Sequence, residues 1–242
     1  VIVDTDEPPA STTRPRPTEA DTGDVVWLRG GSDRASRRAE PLTLERIIVA
    51  AVAELDEHGA ERLTMRRLAQ RLAVTSTALY WHVSTKEDLY DLVLDHVLAD
   101  VPIPAADADP RSGVRDLLIG WRAAMLAHPW SPSLLGRPML GPNVLARTEF
   151  LQATLTRAGL SGIDLASATS VLAEFVIGAA ITETTWLRLN DPAALAKART
   201  HIAGLSRLYP TLNATGFVDR TQWSEDDLFR FGLDRVLDAF LR

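Results

Sequence analysis

At 242 residues, 46% of them apolar, the chain is long enough for two modest domains and apolar enough to give each a core. It has no cysteine, which removes disulfides, thiolate zinc sites and cysteine nucleophiles together and fits a reducing cytoplasm. A formal net charge of −6 excludes a general nucleic-acid coat, so attraction to a polyanion has to come from charge gathered on one face.

Residues 1–40 are rich in Pro, Thr, Asp and Arg and show no hydrophobic period, so a disordered arm is expected. Val1-Ile2-Val3 runs at once into Asp4, Asp6 and Glu7, unlike a signal peptide. Val25 to Leu28 is one small apolar island. Arg29, Arg34, Arg37 and Arg38 could lie in a minor groove; the alternative is a solubilising tail. Thr43 then caps a helix with Leu44, Ile47, Ile48, Ala51, Val52 and Leu55 on one face, ended by Gly59.

From Leu63 to Lys86 two short helical patterns turn a tight corner. Thr64 caps the first, with Met65, Leu68, Ala69 and Leu72 inward; Thr75 caps the second, with Ala78, Leu79 and Val83 inward. The three-residue connection Leu72-Ala73-Val74 fits a helix-turn-helix. Between Arg62 and Lys86 lie five cations (Arg62, Arg66, Arg67, Arg71, Lys86) and no Asp or Glu, within a 41–101 segment that is acidic as a whole. Taken singly, Trp81 reads as a core aromatic and Arg62 and Arg71 as solvated surface. Together the features point to DNA, with Thr64, Arg66, Thr75, Ser76, Thr77, Tyr80, Trp81, His82 and Lys86 as the facing set: hydroxyls for phosphates and base edges, Tyr80 and His82 for backbone oxygens. Ser84-Thr85-Lys86-Glu87 reads as a capping box that opens a fourth helix and puts Lys86 in a first turn favourable to phosphate. Leu89, Leu92, Val93, His96 and Val97 form its apolar face, with His96 expected at the core edge near the next domain, and Pro102 and Pro104 stop it.

The remainder reads as helix throughout. Val114, Leu117, Leu118, Trp121 and Met125 share a face, and the prolines after His128 make an irregular stretch to Pro142. Helices are expected over 143–158, 164–189 and 191–206, a turn-rich loop over 209–222, and a last helix opened by Ser224 with Asp227. The 164–189 helix is apolar on nearly every side, so more than one neighbour must cover it; Glu174, Glu183 and many hydroxyls argue against a membrane span. No G-x-S-x-G, H-E-x-x-H or phosphate loop is present, His58 and His201 have no catalytic company, and an enzyme is not expected.

The run LTMRRLAQRLAVTSTALYWHVSTKEDL resembles the DNA-binding domain of TetR-type repressors, above all in its LYWHV segment followed by a lysine that opens the next helix. The likeness is close from Leu42 to about Asp100 and extends further only as a loose all-helical pattern. Ala73 departs from the glycine usual in the family's turn, and Ser76, Thr77 and Ala78 differ from the tetracycline repressor, so that protein's operator does not carry over. The resemblance implies an all-α protein with a disordered arm (1–40), a helix-turn-helix domain (41–101) and a ligand-binding and dimerisation domain (102–242). It implies a phosphate contact at Lys86, a four-helix bundle built from 164–189 and 225–241 of two subunits, and a two-fold symmetric operator.

A pocket is expected among helices 111–128, 143–158 and 164–189. Its candidates are Trp121, Met125, Trp130, Leu135, Met139, Phe150, Phe175 and Trp186, with His128, Asn143, Thr182 and Glu183 as polar anchors, for a small and largely apolar effector that releases DNA. The segment from Leu134 to Pro138 offers no His where the tetracycline repressor has a magnesium ligand, so no metal or other cofactor is expected. The alternatives are an activator or ligand-independent repressor of the same fold, and a helical small-molecule-binding protein without an operator.

Overall fold

The structure, a computed structural model, describes residues 41–135, 139–188, 191–216 and 223–241, with the side chains of 187 and 188 excepted. The expectations for the arm 1–40, for its apolar island and arginines and for 136–138 therefore lie outside the described residues. Among the described residues ten helices come in order: α1 (Leu44–His58), α2 (Met65–Arg71), α3 (Ser76–Tyr80), α4 (Lys86–Leu98), α5 (Pro110–Ala127), α6 (Pro142–Arg157), α7 (Gly162–Arg188), α8 (Pro192–Gly204), α9 (Pro210–Ala214) and α10 (Glu225–Phe240). No strand occurs among the described residues.

Local chemistry sets the helix ends. The Thr43, Thr64 and Thr75 hydroxyls accept the N–H groups of Arg46, Arg67 and Ala78, each at 3.2 Å, satisfying donors that the first turns of α1, α2 and α3 leave free. After α2 the N–H of Val74 reaches the carbonyl of Ala69 and that of Ala73 reaches Gln70, a Schellman closure that drives Ala73 to φ 54°. The capping box of α4 lies one residue later than expected: Thr85 and Asp88 exchange bonds of 3.0 Å, in place of Ser84 and Glu87. That register turns Leu89 fully inward.

Two hydrophobic clusters result. One gathers Ile47, Leu55, Leu68, Leu79, Leu89 and Val93 from α1 to α4; the other gathers Val114, Leu118, Leu151, Leu172, Val176 and Leu233 from α5, α6, α7 and α10. They meet along α4, where Val97 belongs to the first and Leu98 to the second. A 3-10 turn, Ser131–Leu134, occupies part of the stretch expected to be irregular, and within the expected 209–222 loop Pro210 starts the short α9.

Helix α7 is long and apolar enough to cross a membrane, with a mean hydropathy of 1.7 over an 18-residue window within Gly162–Trp186. Its Ala168, Leu172, Val176 and Ala180 are fully buried in the second cluster, and Phe175 stacks on Phe229 of α10. On the opposite side Ile163, Val171 and Ile181 stand exposed, as do Leu228 and Phe231 on α10. Helical spacing puts each group on one face.

Candidate nucleic-acid interface and effector cavity

Helix α3 has one buried anchor, Leu79, assisted by Val83 just beyond its end. With those two inward, Thr75, Thr77, Tyr80, Trp81 and His82 are exposed, while Ser76 is half-buried. Trp81 is 85% exposed and Tyr80 51%, so Trp81 is not the core aromatic that it resembles when taken alone. The Thr64 and Thr75 oxygens are spent as caps, but each hydroxyl keeps its O–H to donate. Lys86, in the first turn of α4, holds its ammonium 5.1 Å from the ring centroid of Tyr90, which is itself tied by its hydroxyl to the Ala60 carbonyl at 3.0 Å. That contact positions the charge beside the free N–H groups of a helix start.

The acid-free run of sequence is not acid-free in space. Glu54 of α1, nearly fully buried, accepts Arg67 Nε at 2.6 Å and Arg71 Nη1 at 3.2 Å, and Glu57 accepts Arg71 Nη1 at 2.9 Å. The bond from Arg71 holds the Glu57 carboxyl below its ordinary range and the guanidinium above its own. Two of the five cations are thus committed to fastening α2 onto α1. Arg62, Arg66 and Lys86 have no carboxylate partner among the described residues, and Arg62 and Arg66 are exposed. Glu54, Glu57 and His58 bring their ligating atoms within 4.8 Å of one another, but Arg67 and Arg71 occupy the carboxylate oxygens.

A cavity of about 220 Å³ lies where α4, α5, α6, α7 and the 131–135 turn converge. Of the residues proposed from the sequence as pocket residues, Trp121, Met125, Leu135 and Met139 line it. The other lining residues were not anticipated: Leu94, Val97 and Leu98 of α4, Ser131, Val144, Thr148, Ala173 and Ile177. Larger surface depressions run along α5 and α10 and beside Asp56, but they are open and carry ion-paired rims.

The remaining expected pocket residues have other partners. His128 Nδ1 lies 2.8 Å from Asp56 Oδ1, and Trp130, 2% exposed, donates its Nε1–H to the same oxygen at 2.6 Å while its ring joins the core of the first four helices. Asn143 is held by Asp95, Phe150 is packed in the second cluster and Phe175 stacks on Phe229. Thr182 bonds back to the Gly178 carbonyl at 2.8 Å, and Glu183 takes Arg122 at 2.7 Å in a network that includes Asp226. Trp186 is half-buried near the end of α7 and is not among the lining residues.

The domain junction also differs from expectation. His96 is exposed, and its neighbour Asp95 is the buried group. The Asp95 carboxylate accepts the N–H groups of Asn143 and Val144 at 2.9 and 3.0 Å and so caps the start of α6. One turn on, Arg147 reaches back to the carbonyls of Ala99 and Val101 at the end of α4. Each helix satisfies the other's free end groups. Burial of Arg147 lowers its pKa, with Asp95 and Asp100 acting in the other direction.

Two groups on residues that line the cavity are unsatisfied among the described residues: the indole N–H of Trp121 and the hydroxyl of Ser131 are shut from solvent with no hydrogen-bond partner there. Each such group costs about 1–3 kcal/mol.

Residues 47–93 match the profile described as "Bacterial regulatory proteins, tetR family", and 104–240 match "Tetracyclin repressor-like, C-terminal domain". An HTH-type transcriptional regulator of Saccharopolyspora erythraea is 36% identical over 201 residues, covering 82% of this chain and 84% of that protein. The HTH-type transcriptional repressor DrrR1 of Streptomyces coeruleorubidus is 32% identical, covering 91% of this chain and 84% of its own. Among solved structures, ActR of Streptomyces coelicolor in complex with actinorhodin superposes with a TM-score of 0.74 at 28% identity, over 83% of this chain and 97% of ActR.

Proposed function

This chain belongs to the tetR family of bacterial regulatory proteins, and we propose that it works as an operator-bound repressor in which α4 is the part moved by the effector. It is a DNA-binding, ligand-responsive transcriptional repressor that acts as a homodimer on an operator. We assign 41–101 to DNA binding and 102–242 to ligand binding and dimerisation, place the protein in the cytoplasm, and assign it no catalysis.

Two copies of α3 enter successive major grooves about 34–36 Å apart, which calls for a two-fold symmetric operator. Thr77, Ser76 and Tyr80 read or brace the groove floor, Trp81 and His82 lie along its wall, and Arg66 and Lys86 neutralise phosphates. The effector occupies the cavity lined by Trp121, Met125 and Met139. In the proposed dimer the exposed faces of α7 and α10 pack on their symmetry mates.

One observation carries the coupling: α4 serves both cores. Leu89 and Val93 belong to the core that also holds Leu79 of α3, while Leu94, Val97 and Leu98 of the same helix line the cavity. A ligand pressing on the last two turns of α4 shifts the rigid unit that carries Lys86 and supports α3, so ligand and operator binding oppose each other. The Asp56 bonds to Trp130 and His128 tie α1 to the same cavity wall. Filling the cavity tests this. Ala173→Phe is expected to bind a selected operator within about threefold of wild type while becoming insensitive to any compound that releases the wild-type protein. Undiminished release in the filled variant would place the effector elsewhere.

A further inference from the structure

With this cavity taken as the effector site, a reading on which the inference rests, its wall prescribes the chemistry of its occupant. Among the described residues that line it none is charged, and the polar side chains are Trp121, Ser131 and Thr148. The indole N–H of Trp121 can only donate, and among the described residues it has nothing to donate to. That is not the rule for indoles in this chain, since the equally sequestered Trp130 finds Asp56. The hydroxyl of Ser131, 1% exposed, is likewise without a partner. Two orphaned groups on residues of one apolar cavity mark an acceptor that is missing from the protein itself. A carboxylate or ammonium would meet no opposite charge among the described lining residues. The volume of about 220 Å³ exceeds the ~150 Å³ that suffices for benzene.

We propose that the effector is an uncharged molecule of about one substituted ring whose carbonyl or ether oxygen accepts a hydrogen bond from Trp121 Nε1–H, with Ser131 Oγ as the second polar contact. The apolar body fills the space between Leu98, Met125 and Ile177. Ser131 directly succeeds Trp130, so this contact engages the turn that ties the cavity to α1.

Matched probes on the full chain test the assignment: acetophenone carries the acceptor, ethylbenzene has the same shape without it, and benzoate adds a charge. By titration calorimetry acetophenone is expected to bind roughly tenfold tighter than ethylbenzene, and benzoate more weakly than either. Trp121→Phe should shrink the ketone preference to under about threefold while leaving ethylbenzene affinity in place, which also shows that the variant is folded. Ser131→Ala should reduce the preference by a smaller factor. Equal affinities for acetophenone and ethylbenzene in wild type, or a preference that persists in the double variant, would overturn the acceptor assignment and leave the cavity reading standing. Binding of neither neutral probe, or binding that survives Ala173→Phe, would remove the cavity reading and the assignment with it.

Discussion

Ala73 holds φ 54° because the Schellman closure after α2 leaves it no alternative, and a Cβ in that region costs about 1–2 kcal/mol. Ala73→Gly is expected to raise stability by about 0.5–1 kcal/mol in urea unfolding, the gain being trimmed by the greater freedom of an unfolded glycine. The sequence pointed to this position through the resemblance, since Ala73 stands where the family's turn usually has glycine. At the DNA surface the two kinds of contact separate by experiment. Lys86→Ala should weaken binding to every duplex and lower the salt slope by ~0.9; Thr77→Ala should change preference at one base pair by roughly 1–3 kcal/mol. An unchanged slope in the first case, or uniform loss in the second, would contradict these roles. The exposure of Trp81 was legible only with the helix taken whole, since the residue alone reads as core. The pairing of Arg67 and Arg71 was not legible, because it depends on acids that α1 supplies from more than ten residues upstream.

At the scale of elements, periodicity and caps located most helices within a residue or two, because Thr43, Thr64, Thr75, Asp191 and Ser224 are strong start signals and Gly59 a strong stop. What periodicity could not reveal is that α4 is apolar on two sides for two different cores. A window centred on Leu89, Val93 and Val97 hides Leu94 and Leu98. The junction with α6 is equally invisible in sequence, since it rests on Asp95 and Arg147 capping each other's helices over a separation of some fifty residues. Gly141 lies at this crossing: a Cβ there would stand 2.2 Å from Asp95 Oδ1. Gly141→Ala should therefore cost about 1–3 kcal/mol and loosen the ligand response, as measured by unfolding and by effector-driven DNA release. Stability unchanged by that substitution would show that the clamp has slack.

Helix α10 gives a pH-dependent counterpart. The Ser224 hydroxyl holds the Asp227 carboxyl below its usual range, and Arg230, followed by Arg122, does so for Asp226. A depressed carboxyl contributes stability that is complete above the unfolded value, about 4, and is lost as the pH falls below it. The urea midpoint is expected to be insensitive to these groups between about pH 5 and 7 and to fall below about pH 4. Asp227→Asn should show a smaller fall over the same interval; a fall as large as that of wild type would assign the acid loss to other carboxylates.

For the whole molecule, the all-helical class was readable from one dense motif and the helical periods beyond it, while the lining of the cavity was readable only in part. Of the four expected residues that line it, Trp121 and Met125 share a side of α5, Leu135 ends the turn after it and Met139 comes just before α6, and the others arrive from elements whose packing sequence spacing does not dictate. The exposed Ile163, Val171 and Ile181 of α7 and the Leu228 and Phe231 of α10 form faces that a second copy would cover, and an obligate pairing of this kind commonly buries about 2,000 Å² or more. Ile181→Lys is expected to yield monomers in sedimentation and to abolish tight operator binding while leaving α3 intact.

The most direct trial of the account is to select bound sequences from random duplex DNA with the full-length protein. Two inverted half-sites with centres about 10 base pairs apart, each sensitive to Thr77→Ala at one position, are the predicted result. Recovery of no shared sequence at low salt, or of a lone asymmetric half-site bound by one subunit, would contradict it.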